Sequence, residues 1–207
     1  MGPAPMAAAF FFLALAPQQL EQFLQKGDFE AAAVILGKEL AAAEGTQERA
    51  EAAILLSQCY LEMRRPGKVE ELLRDFPREL QGDPRYVYCK AEALLARGDS
   101  RGAEDLLLTL KGGSPGLQVT FRLGVLLYEK GDFKGAADLL QEPAGGDSPD
   151  YYSCIYRARA LLGLDRPMAA RQGLASLGEQ LVTPELKYLL GRCSYAEKKY
   201  ESAAGDF

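Results

Sequence analysis

The chain has 207 residues, 48% apolar and 26% charged, which is the composition of a folded protein and not of a disordered one. Its net charge is −5, and its densest basic run (Arg64, Arg65, Lys68) lies among Glu62, Glu70 and Glu71. That run reads as a solvated turn, so the basic face that nucleic-acid binding needs is not indicated. The absence of His and Asn removes Ser-His and Cys-His nucleophilic pairs, imidazole metal ligation and N-glycosylation.

The first element is an apolar run, Ala7 to Ala16, reading AAAFFFLALA. Ten residues are too few for a helix to span a bilayer, which takes about 20, so no transmembrane span is expected. The run fits the apolar region of a signal peptide, with Ala14-Leu15-Ala16 as a small-x-small cleavage site. No Lys or Arg precedes it and Pro17 would follow the cut, so a hydrophobic lead-in to the first helix stays open as the other reading. Residues 1–16 are therefore set apart as signal peptide or lead-in. The corresponding location is exported, periplasmic or lumenal, with cytoplasmic as the alternative.

From residue 17 onward the chain repeats. GDFEAAAVIL from Gly27, GDSRGAEDLL from Gly98 and GDFKGAADLL from Gly131 each carry a Gly-Asp turn, an Ala at the sixth place and a Leu at the tenth. The sixth place continues as Ala32, Val69, Ala103, Ala136, Ala170 and Ala203, at intervals of 37, 34, 33, 34 and 33. Four places on stand Leu36, Leu73, Leu107, Leu140, Leu174 and Phe207. Twelve places before the Ala series, the chain reads Leu20, Ser57, Ala91, Gly124, Ala158 and Gly191, mostly small residues. Three further on come Phe23, Tyr60, Leu94, Leu127, Leu161 and Ser194, mostly large.

Turns fall between the two helical patterns: Gly27-Asp28-Phe29, Arg64-Arg65-Pro66, Gly98-Asp99-Ser100, Gly131-Asp132-Phe133, Asp165-Arg166-Pro167 and Lys198-Lys199-Tyr200. Gly ends a helix in the left-handed conformation, and Pro suits the first turn of the next. Each unit thus reads as helix, tight turn, helix. The small residues let paired helices approach, and the large one packs onto the next unit. A single hairpin cannot bury its apolar face alone, so the units stack.

These residues resemble the tetratricopeptide repeat (TPR) family, whose period is 34. With Gly98 at place 15 of that pattern, Ala103 falls at 20, Leu107 at 24 and Pro115 at 32. In the last unit Tyr200 falls at 17, Ala203 at 20 and Phe207 at 24. The resemblance implies an all-α, right-handed α-solenoid of about six antiparallel hairpins over residues 17–207. Val69 departs from the small residue of place 20, and place 4 is never Trp. Loops at Gly112 to Gly116 and Pro143 to Pro149 separate the third, fourth and fifth units. The chain stops within the predicted second helix of its sixth unit, where a solenoid needs a polar cap, so a truncated array is expected.

No catalytic signature emerges. The Gly112–Gly116 loop lacks the Gly-Lys-Ser/Thr of a phosphate loop. Adjacent carboxylates such as Glu70 and Glu71 face different sides of a helix. Cys59, Cys89, Cys154 and Cys193 form no C-x-x-C, and each falls on the first helix of a hairpin, so they read as reduced core thiols and not as metal ligands. Neither enzymatic activity, nor a metal, nor a cofactor is expected.

What the resemblance implies is a scaffold that binds a partner peptide or protein in a concave groove lined by the first helices. Two alternatives stay beside it: a permanent structural subunit of a larger envelope or secretion assembly, and the regulatory arm of an enzyme whose catalytic domain lies beyond Phe207. Carried over place by place, the groove residues are Tyr88, Phe121 and Tyr188 at place 5, and Arg159 and Arg192 at place 9. Tyr128 and Tyr195 stand at place 12, with Tyr152 beside the arginines. The same aromatics would equally serve as core between units. The Lys and Asn with which some relatives clamp a chaperone carboxylate are missing at places 5 and 9, so that activity is not implied. The arginines and rings together suit a peptide with apolar anchors and an acidic residue.

Overall fold

The structure, a computed structural model, describes residues 18–75, 82–111, 116–141, 151–177 and 183–206. The apolar run Ala7–Ala16, most of the Gly112–Gly116 loop, the Pro143–Pro149 loop and Phe207 lie outside the described residues. Among the described residues there are twelve α helices and no strand. They fall into two compact units divided after Pro115, each of three hairpins.

The first unit holds α1 (Gln18–Gln25), α2 (Phe29–Ala42), α3 (Thr46–Glu62), α4 (Pro66–Arg74), α5 (Pro84–Ala96) and α6 (Ser100–Thr109). The second holds α7 (Gly116–Glu129), α8 (Phe133–Leu139), α9 (Tyr151–Gly163), α10 (Pro167–Ala175), α11 (Pro184–Ala196) and α12 (Tyr200–Asp206). Within each unit every helix packs on the next in sequence. First helices also pack on first helices: α3 on α5, α7 on α9, and α9 on α11. This is the stacked helical-hairpin repeat that the sequence period predicts.

The turns explain why the helices stop where they do. In all six, the residue predicted to open the turn has positive φ: Gly27, Arg64, Gly98, Gly131, Asp165 and Lys198, at 56–87°. The next residue donates its N–H five residues back, as Asp99 does to the Leu94 carbonyl and Arg65 to that of Tyr60. The positive-φ residue donates three residues back. These paired bonds satisfy carbonyls that a helix end leaves orphaned. In the Gly-Asp turns the Asp then caps the following helix, its carboxylate accepting from the N–H of Ala31, Gly102 or Gly135.

The repeating small and large places form the core. Ala32, Val69, Ala103, Ala136, Ala170 and Ala203 are all buried, as are Leu36, Leu73, Leu107, Leu140 and Leu174. Removing one such Leu side chain from water contributes about 1.5–3 kcal/mol. At Gly124 the packing between helices is tight. A methyl added there would stand 2.4 Å from the Leu140 side chain, so α7 and α8 close on a contact that excludes even Ala unless Leu140 moves.

Ser194 breaks the run of large residues, and the structure shows what replaces one. Its buried hydroxyl accepts from Arg171 Nη2 at 2.6 Å, and Arg171 Nε also donates to Glu197 at 3.1 Å. A polar bridge from α10 substitutes there for an apolar side chain.

Ion pairs tie successive hairpins within each unit. Arg85 grips both Glu51 oxygens, at 2.8 and 2.7 Å, and Asp83 Oδ2 at 2.7 Å. Burial pushes the Asp83 carboxyl up, but hydrogen bonds from the Arg85 side chain and backbone outweigh it and hold that carboxyl below the ordinary 3.8. Glu70 meets Arg97 in the first unit and Arg171 meets Glu197 in the second, at matching places of the repeat but with the charges exchanged. The four cysteines lie buried on α3, α5, α9 and α11, with no S–S bond among them. Burial pushes the thiols of Cys59 and Cys89 up to about 12, which makes them poor nucleophiles.

Candidate partner-binding surface

The residues predicted to line a groove separate into three environments. The first is a cluster of rings in the second unit. Phe121, only 6% exposed, lies 6.4 Å from Tyr152 and 5.7 Å from Tyr156, centroid to centroid. Tyr128 lies 5.7 Å from Tyr156 and 5.5 Å from Phe133. Tyr152 also meets Tyr151 at 5.3 Å. These rings pack on one another, several edge to face, and Phe121 offers almost no surface to a ligand. Tyr88 of α5 is half-buried and engaged in contacts of its own.

The second environment is that of Arg159. Its guanidinium pairs with Glu185 at the start of α11 and lies 5.0 Å above the Tyr156 ring. The acidic group expected from a partner is thus supplied, for this arginine, by the next hairpin. A second bond reinforces the same seam: the hydroxyls of Tyr151 and Thr183 stand 2.6 Å apart, and Thr183 caps α11. Neither Tyr156 nor Glu185 was singled out from the sequence. The signal lay in position: Tyr156 stands one turn after Tyr152, and Glu185, 26 residues beyond Arg159, falls in the first turn of the next repeat's first helix.

The third environment is open. Tyr188 and Tyr195 are 54% and 64% exposed, and Arg192 between them is exposed too. At spacings of four and three they share one face of α11. Arg192 sits 6.0 Å above the Tyr188 ring, and among the described residues no carboxylate pairs with it. Tyr200 of α12, itself 59% exposed, meets Tyr195 at 5.5 Å. Lys187, Lys198 and Lys199 are exposed nearby, with Lys199 bound to Glu197 at 2.7 Å. Lys199 first, then Arg171, holds the Glu197 carboxyl below the ordinary 4.5. Six large apolar or aromatic side chains are strongly exposed among the described residues, and three of them are these tyrosines.

Among the described residues no group of His, Cys, Asp and Glu is placed to hold a metal ion, and no helix is long and apolar enough to cross a membrane. What the fold defines is a helical-hairpin repeat protein presenting an aromatic, basic helix face. Residues 23–91 match the model of the family described as Tetratricopeptide repeat, which supports that family for the repeats of this chain. Repeats of this family generally mediate protein–protein interactions and are generally non-catalytic. No curated protein matches the chain.

Proposed function

We propose that this chain is a protein-interaction scaffold whose second unit holds a partner against the outer face of α11, on Tyr188, Arg192 and Tyr195. The observation that carries this reading is the exposure of two tyrosines flanking an arginine that has no carboxylate partner among the described residues. Tyr and Arg dominate binding energy at interfaces, because each buries a large rigid area and then hydrogen-bonds at its tip. Phe121, Tyr128, Tyr152 and Arg159 support that face from behind: their rings and the Arg159–Glu185 pair fix α9, on which α11 rests. Tyr88 belongs to the first unit and is not part of this surface.

A photo-reactive amino acid at position 188 or 195 tests the reading in lysate of the source cell. The expected outcome is a discrete protein adduct at both positions and none at Val34, an equally exposed apolar site on α2. Arg192→Glu should abolish the adduct while leaving helicity unchanged. Adducts that form equally at Val34, or that survive Arg192→Glu, refute this surface.

A further inference from the structure

The residues that hold each hairpin together are nearly the same in all of them. Ala32, Val69, Ala136 and Ala170, with the leucines four places on, are buried alike, so they do not say which hairpin follows which. One pair of places differs from seam to seam. It joins the residue just after the small place of one hairpin to the residue just before the positive-φ turn residue of the next.

Four seams lie within the two units. Where α3–α4 meets α5–α6 the pair is Glu70 then Arg97, a carboxylate followed by a guanidinium, 2.6 Å apart. Where α9–α10 meets α11–α12 it is Arg171 then Glu197, 3.1 Å apart, with the polarity reversed. Where α1–α2 meets α3–α4 both residues are apolar: Ala33 and Met63 pack against one cluster. Where α7–α8 meets α9–α10 they are Ala137 and Leu164, again in one cluster. At each seam the two places match in kind.

Hairpins of one shape and one apolar pattern invite a hairpin of a second copy to stack in place of the chain's own. Such exchange is a characteristic failure of repeat proteins. The two ion pairs add little stability, because most of their groups are partly in water: Arg97 and Glu70 are 57% and 35% exposed, and Arg171 is 34% exposed. Their larger effect is on the stackings they oppose. Were α5–α6 to stack on α9–α10 of a second copy, Arg97 would meet Arg171. Were α11–α12 to stack on α3–α4, Glu197, only 8% exposed, would meet Glu70. Either hairpin placed on Ala33 or Ala137 would set a charge against an apolar cluster with no partner. Specificity arises from such repulsions as much as from the native attractions.

We infer that these seam pairs specify the order of the hairpins, and keep a hairpin of a second copy from replacing the chain's own. This role is independent of any partner held on α11.

The test gives both charged seams one polarity. Glu70→Arg with Arg97→Glu keeps opposite charges in its own seam but makes that seam read as the Arg171–Glu197 seam does. The full chain is unfolded in urea and refolded at about 100 μM, where exchange between copies competes with folding. Dimer is measured by size-exclusion chromatography with light scattering, before and after dilution. The swap should keep the parent's urea midpoint. It should give at least about threefold more dimer that survives dilution, since an exchanged dimer separates only by unfolding. Glu70→Asp with Arg97→Lys disturbs the same places but keeps their polarity, and should stay at the parental dimer fraction. Arg171→Glu with Glu197→Arg matches the two seams from the other side and should raise the dimer likewise. Combining both swaps makes the seams opposite again and should return the dimer to the parental level, a non-additivity that lost stability alone does not produce.

A parental dimer fraction in both single swaps overturns the inference. So does an equal rise in the polarity-keeping variant, a dimer that disperses on dilution, or a combined variant that dimerises as much as either swap. If one swap does not fold to a helical monomer, the other decides. If neither folds, the pairs set stability and not order.

Discussion

Two kinds of turn close the hairpins, and they reach one geometry by different chemistry. At Gly27-Asp28, Gly98-Asp99 and Gly131-Asp132 a glycine takes the left-handed conformation and an aspartate caps the next helix. At Arg64-Arg65-Pro66 and Asp165-Arg166-Pro167 a residue with a Cβ takes the same conformation, the cap residue's side chain accepts no hydrogen bond from the helix N–H groups, and proline opens the helix. At the cap ψ is close, 71–72° in the first kind and 61–62° in the second, while φ differs, −78 to −84° against −112 to −116°. Lys198-Lys199-Tyr200 has neither glycine nor proline and still forms the turn. The lesson is that stacking of the hairpins imposes the turn, and local residue choice sets only its cost.

The sharpest way to break this comparison is Gly98→Val. A Cβ at Gly98 meets no atom within 4 Å, so the penalty is purely that of holding a β-branched residue at φ 87°. It should lower stability by about 2 kcal/mol in urea denaturation. A loss below a few tenths would show that the turn does not need glycine at all. A smaller effect separates the capping devices. Asp132→Ala removes the bond to the Gly135 N–H and should cost about 1 kcal/mol, whereas Arg166→Ala, where no such bond exists, should stay within about 0.5 kcal/mol. Equal costs would mean that the carboxylate is not the cap. The smallest effect has the opposite sign. Arg64→Gly should stabilise the chain by about 0.5 kcal/mol. It relieves a left-handed residue worth about 1–2 kcal/mol but gives back about 0.5–1 kcal/mol in unfolded-chain entropy. A destabilised variant would show that the Arg64 side chain does more than the turn requires.

The six turn positions, the small residues from Ala32 to Ala203 and the first-helix placement of the cysteines were legible in the sequence, because the period repeats each one. Val69 and Ser194 looked like departures. Val69 is simply buried in the small residue's place, while Ser194 is completed by Arg171, a partner 23 residues earlier on another helix. The groove residues were legible as a set but not as a surface. Place in the repeat says which side of a helix a residue occupies, and not whether another helix covers that side.

The sequence by itself determined the repeat, its period, its turns and the all-helical class, since these follow from local backbone preference and from apolar spacing that any one hairpin already displays. Only the tertiary structure decided which arginine is satisfied. Arg159 and Arg192 are equivalent in the pattern. One is neutralised by Glu185 and lies over Tyr156, while the other stands exposed over Tyr188. The physical reason is that an ion pair between hairpins depends on a side chain supplied from a neighbouring repeat, so it belongs to the stacking and not to either helix.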